Sequence, residues 1–154
     1  MSDVDYVSST ALYIQKQSKS FPMHKKTISS LHTFFKTSKN ILVWDGNCKF
    51  CQKCINWLIS KGGKKKIFFI PFQEIPHPPM SDEFKKECMQ SIQFLKPTHE
   101  IFAGGDAISE ILFAIGYMNI ATMMRKPKLR KLSNYLYDFI AKQRSLLSSF
   151  IRNK

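Results

Sequence analysis

The apolar positions of the chain fall into short continuous runs and into helical stripes, and the order of these patterns predicts its elements. Ile41-Leu42-Val43-Trp44 is an apolar run closed by the turn signal Asp45-Gly46-Asn47, which reads as a short buried strand. From Gln52 to Ser60 the spacing becomes helical: Ile55, Leu58 and Ile59 share one face with Trp57 beside them, and Gly62-Gly63 can end the helix. Lys64-Lys65-Lys66 leads into a second apolar run, Ile67-Phe68-Phe69-Ile70, which Pro71 stops. A strand over 41–45, a helix over 49–61 and a strand over 67–70 make a βαβ unit, with parallel pairing and a right-handed crossover.

Phe72 to Met80 holds three prolines and reads as an extended loop. Ser81 is placed to cap a short helix with Asp82-Glu83 in its first turn, reaching about Cys88. Ser91 to Leu95 alternates like a half-buried strand. Lys96-Pro97-Thr98 turns the chain, and His99 to Ala103 returns as the hairpin partner. Gly104-Gly105-Asp106 then caps a helix over Ala107–Tyr117, striped by Ile108, Ile111, Leu112 and Ile115. A short helical piece over 118–125 precedes a long helix from Pro127 to about Phe150. Residues 1–39 are rich in Ser, Lys and Thr. They are expected to form a partly ordered extension, with helices over Tyr6–Gln17 and Ile28–Phe35, ahead of a domain spanning 40–150. The order strand, helix, strand, helix, strand, strand, helix is that of a thioredoxin-like α/β fold with a mixed sheet, and 118–150 are helices appended to it.

Composition narrows the class. A chain of 154 residues with 44% hydrophobic and 13% aromatic residues can build one domain with a real core. No apolar run approaches the length needed to cross a bilayer. The first residues lack the basic and continuous apolar regions of a signal peptide, and Asp3 and Asp5 argue against a transit peptide. The expectation is a cytoplasmic protein, or one in another reducing compartment, where a paired cysteine motif points to catalysis or metal binding rather than to a structural staple. The formal net charge is +13, from 24 Lys and Arg against 11 Asp and Glu. The basic residues are spread over several stretches with no nucleic-acid-binding motif among them. That favours a solvated basic surface over an anionic surface partner.

The chemistry concentrates at Cys48-Lys49-Phe50-Cys51, where the first strand hands over to a helix. A helix N-terminus presents unpaired N–H groups and the positive end of the helix dipole, and both favour a thiolate, the nucleophile in disulfide exchange. The spacing predicts Cys48 as the more exposed and more acidic thiol and Cys51, one turn inside, as its resolving partner. Lys49 adds a positive charge beside Cys48. Two other readings stay open. Cys54 extends the pattern to Cys-x-x-Cys-x-x-Cys, half of a zinc or iron–sulfur site, for which Cys88, His77 and His99 are the remaining candidate ligands without a second paired spacing. Alternatively the thiols are inert, and the protein is a basic adaptor for a membrane surface or nucleic acid.

Asp45-Gly46-Asn47-Cys48-Lys49-Phe50-Cys51 resembles the Asp-x-x-Cys-x-x-Cys signature of the DCC family of thiol–disulfide oxidoreductases. Residues 41–45 resemble the family's opening strand and Gly105-Asp106-Ala107 its small-Asp-Ala helix start. Tyr137 with Ala141-Lys142-Gln143-Arg144 resembles its closing Tyr…Ala-x-x-Arg pattern, so the likeness runs from about Ile41 to Leu147. The resemblance implies a thioredoxin-like domain with Cys48 as nucleophile and Cys51 as resolving thiol, supported by Asp45 and Gly46. It implies no organic cofactor, a protein or small-molecule disulfide as substrate, and a partner thiol as electron donor. Asp45 is expected to hold the loop rather than to move a proton. Asp106 is expected at a helix start and Arg144 opposite a carboxylate. Thioredoxins place a proline just before the third strand, whereas this chain has Glu87-Cys88-Met89-Gln90 there, so its substrate groove differs; Cys88 could approach the paired cysteines, but it reads first as a buried strand-edge thiol.

Overall fold

Ile41, Leu42 and Val43 are fully buried, so the first apolar run becomes a strand covered on both faces. The computed structural model describes residues 21–152, with side chains over residues 26–143; the helix expected over Tyr6–Gln17 lies outside them. The chain runs through α1 (Phe21–Phe34), β1 (Asn40–Trp44), α2 (Lys49–Ser60), β2 (Ile67–Pro71) and α3 (Asp82–Gln90). It continues through the hairpin β3 (Gln93–Leu95) and β4 (Ile101–Ala103), then α4 (Gly104–Ala114), α5 (Met118–Met124) and α6 (Pro127–Arg152). The sheet order is β2-β1-β3-β4, with β1 parallel to β2 and antiparallel to β3, and β3 antiparallel to β4. With helices on both faces this is a thioredoxin-like fold.

Alternation along the strands sorts the core into two halves. Ile41 and Val43 of β1, Ile70 of β2 and Leu95 of β3 pack with Ile28 and Leu31 of α1 and Phe84 and Cys88 of α3. Leu42, Ile67 and Phe94 point the other way, onto Ile55 and Leu58 of α2 and Ala107 and Ile111 of α4. Part of the stretch 1–39 reaches this core. Although α1 lies in a Ser- and Lys-rich stretch, Ile28 and Leu31 sit one turn apart on its inner face and are among the most buried side chains. Through Ile28 and Leu31, α1 contributes to the core.

Most predicted boundaries hold within a few residues, and the exceptions have local causes. Ser81 caps α3, its hydroxyl accepting from the Phe84 N–H at 3.2 Å. α4 starts at Gly104, three residues before its expected first residue Ala107, and ends at Ala114, where Gly116 adopts φ +100°. The early start brings the α4 backbone against α6: a Cβ on Gly105 would lie 2.5 Å from Asn134 Oδ1 and 3.0 Å from its Cα. α6 packs on α2, α4 and α5 and so belongs to the body of the domain. No helix among the described residues is long and apolar enough to cross a membrane.

Candidate functional site

Trp44 of β1 pairs with Pro71 of β2, so these parallel strands end together and their following loops lie side by side. Val43 pairs with Gln93, which brings the start of β3 to the same edge of the sheet. The loop from Asp45 to Cys48 crosses this edge and enters α2.

Four polar contacts fix that loop. Asp45 Oδ1 accepts from the Asn47 N–H at 3.0 Å, a local turn in which the side chain bonds backbone two residues on. The Gln73 amide spans two groups, donating from Nε2 to Asp45 Oδ1 at 2.8 Å and accepting the Gly46 N–H on Oε1 at 3.0 Å. From α2, Gln52 Nε2 donates to the Gly46 carbonyl at 2.6 Å. Gly46 is needed for space: a Cβ there would lie 2.9 Å from Pro71 Cβ. Asp45 therefore sits in a loop-holding network. Sequence reasoning missed both glutamines: Gln73 meets its partners only once the register sets the two strand ends together, and Gln52 reaches the Gly46 carbonyl only once the loop folds back over the first turn of α2.

Cys48 is the N-cap of α2, with φ −86° and ψ 106°, and its Sγ accepts the Cys51 N–H at 3.2 Å. The sulfur thus occupies the place of the capping oxygen, against an N–H of the first turn and the positive end of the helix. Both cysteines are in the thiol form, not joined in a disulfide. Their exposure reverses the expectation: Cys48 is 5% exposed, whereas Cys51 is half-buried. The reason is the cap itself, which turns the Cys48 side chain back over the helix start. Lys49 is exposed.

The other candidate residues separate from the pair. Cys54 is exposed as a residue, but its sulfur is partly covered, and this burial, followed by the neighbouring Cys48, raises its pKa. Cys88 lies in the core half shared with α1 and α3, not the half that holds α2. Burial, followed by the Glu87 charge, pushes its thiol up to about 12. It is a buried core thiol. His77 faces Asp82 at 3.7 Å and His99 is exposed in the hairpin loop. Among the described residues no three His, Cys, Asp or Glu side chains come together to hold a metal ion.

The blocks beyond the cysteine motif are structural. Asp106, in the first turn of α4, accepts Nε and Nη2 of Arg130 at 2.8 Å each, a bidentate tie to α6. The Tyr137 hydroxyl accepts the Ile92 N–H at 2.9 Å, so α6 also grips the residue just before β3. The Arg144 side chain lies outside the described residues.

No curated protein and no solved structure matches the chain. A family model described as DCC1-like thiol-disulfide oxidoreductase matches residues 42–150, from β1 through the paired cysteines and nearly to the end of α6. With the paired thiols at the helix start and the thioredoxin-like sheet behind them, the chain belongs to the DCC1-like thiol-disulfide oxidoreductase family.

Proposed function

We propose that the protein exchanges electrons with disulfide substrates through Cys48 and Cys51. The observation that carries this reading is the Cys48 sulfur at the N-cap of α2, accepting the Cys51 N–H, with the second thiol one turn inside. In the reducing direction the Cys48 thiolate attacks one sulfur of a substrate disulfide. That S–S bond breaks, the departing sulfur leaves with the electron pair and takes up a proton, and a mixed disulfide joins Cys48 to the substrate. Cys51 loses its proton and attacks Cys48 Sγ, releasing the second substrate thiol and leaving a Cys48–Cys51 disulfide. Two electrons have passed to the substrate, and a partner thiol restores the pair through the same steps in reverse. The potential of the pair against its surroundings sets the direction. Asp45, Gly46, Gln52 and Gln73 act as positioning residues that hold the loop, and no organic cofactor takes part.

The exposures favour a second reading in which the roles are exchanged. Cys51, the more accessible thiol, makes the first attack, and the buried Cys48 resolves. One trapping experiment separates the two. The Cys51→Ser and Cys48→Ser variants are each incubated with a model disulfide, and the adduct is located by mass spectrometry. A stable mixed disulfide on Cys48 in Cys51→Ser, with none on Cys51 in Cys48→Ser, supports Cys48 as nucleophile; the reverse pattern exchanges the roles. If neither variant traps an adduct and the wild type forms no reversible disulfide, the redox reading fails.

A further inference from the structure

α6 has two faces, and the more apolar one is turned outward. At about 100° per residue, Arg130, Asn134, Tyr137 and Ala141 fall on one side. Of these, Arg130 binds Asp106, Asn134 lies against Gly105 and Tyr137 bonds Ile92, so this is the side that packs on the domain. Leu129, Leu132, Leu136, Phe139 and Ile140 form a separate sector roughly 100° wide. They are between 36% and 56% exposed. On the neighbouring α5, Met118, Ile120 and Met123 are exposed as well. Lys128, Lys131 and Lys142 line one flank of the α6 sector, and all three are exposed.

Charge selects the occupant of this face. Residues 118–143 carry six basic side chains and one acidic, Asp138. Arg125 and Arg130 are engaged by Glu110 and Asp106 in the body of the domain, which leaves the basic flank to Lys128, Lys131 and Lys142. A second copy would bring another +13 chain against these lysines. A nucleic acid would answer the lysines but has no use for an aliphatic sector. The surface of an anionic bilayer answers both: acyl chains take Leu, Phe and Ile, and lysines on the flank reach lipid phosphates. We propose that the outer face of α5 and α6 binds anionic phospholipid membranes, with α6 lying in the plane of the interface. This is independent of the thiol chemistry and would set where that chemistry takes place.

The test uses the full chain in co-sedimentation with vesicles of phosphatidylcholine, with and without phosphatidylserine. The expected result is binding to the anionic vesicles that weakens steeply with added salt, and little binding to phosphatidylcholine alone. The double variant Leu136→Ser, Phe139→Ser is expected to lose at least about tenfold in vesicle affinity. Lys128→Ser, Lys131→Ser is expected to lose about tenfold or more on anionic vesicles only. Both pairs lie on the surface, and circular dichroism checks that each variant keeps its fold. The proposal is overturned if the wild type does not bind anionic vesicles, or if the apolar variant binds them unchanged. Binding to duplex DNA or RNA but not to vesicles overturns it too. So does a wild-type dimer in sedimentation velocity that Leu136→Ser, Phe139→Ser dissolves while vesicles capture nothing.

Discussion

Gln73 holds the cysteine loop through one amide that bonds in both directions. Its Nε2–H and Oε1 match the Asp45 carboxylate and the Gly46 N–H, so glutamine is the side chain that satisfies both at once. Cys88 shows the opposite case, a thiol whose chemistry is set by burial. Its pKa rises from 9.0 to about 12 in the folded protein. Below pH 9 both folded and unfolded chains keep this proton, and the contribution to stability is complete. Between pH 9 and 12 the unfolded chain releases the proton while the folded chain retains it, so stability falls with rising pH, by at most about 1.4 kcal/mol per pH unit. The Cys88→Ala variant lacks this contribution. Urea denaturation at a series of pH values should therefore show wild type losing stability faster than Cys88→Ala across that window. Parallel pH dependences would mean that the buried thiol does not control this loss.

α1 and β1 mark the two extremes of what local pattern reveals about an element. β1 was legible because a strand buried on both faces is a continuous apolar run, which stands out in any composition. α1 buries a single narrow stripe, and Ile28 and Leu31 are embedded among Ser, Lys and Thr, so the composition of the segment outweighed its periodicity. Energetically the stripe matters more than its surroundings. Leu31 is fully buried against β1 and α3 residues, and Leu31→Ala should cost about 2–5 kcal/mol in denaturant unfolding. A loss below about 0.5 kcal/mol, the usual effect of a surface substitution, would return α1 to the status of an appendage.

Across the whole molecule, element order was readable and packing was less so. The strands, turns and caps announce themselves locally, and the thioredoxin-like order follows from them. The site was legible as a pair of cysteines at a strand–helix junction. Its supporting amides and the relative exposure of the thiols were not, because both depend on how distant segments meet. α6 shows the limit most clearly. Its strongest periodic signal is the leucine stripe, and the usual reading would turn that stripe to the core. Yet the packed side uses Arg130, Asn134 and Tyr137, because the glycine-led start of α4 approaches so closely that it accepts a polar face. Asp106 is partly buried and receives both Arg130 donors, so Asp106→Asn leaves that guanidinium without its charge partner and should cost about 1–3 kcal/mol. Leu136→Ser, on the outer side of the same helix, should change stability by less than about 0.5 kcal/mol. Urea unfolding of the two variants decides which face is packed. If Leu136→Ser is the more damaging, α6 rests on its leucines, and neither the Tyr137 contact beside β3 nor the outward apolar face survives.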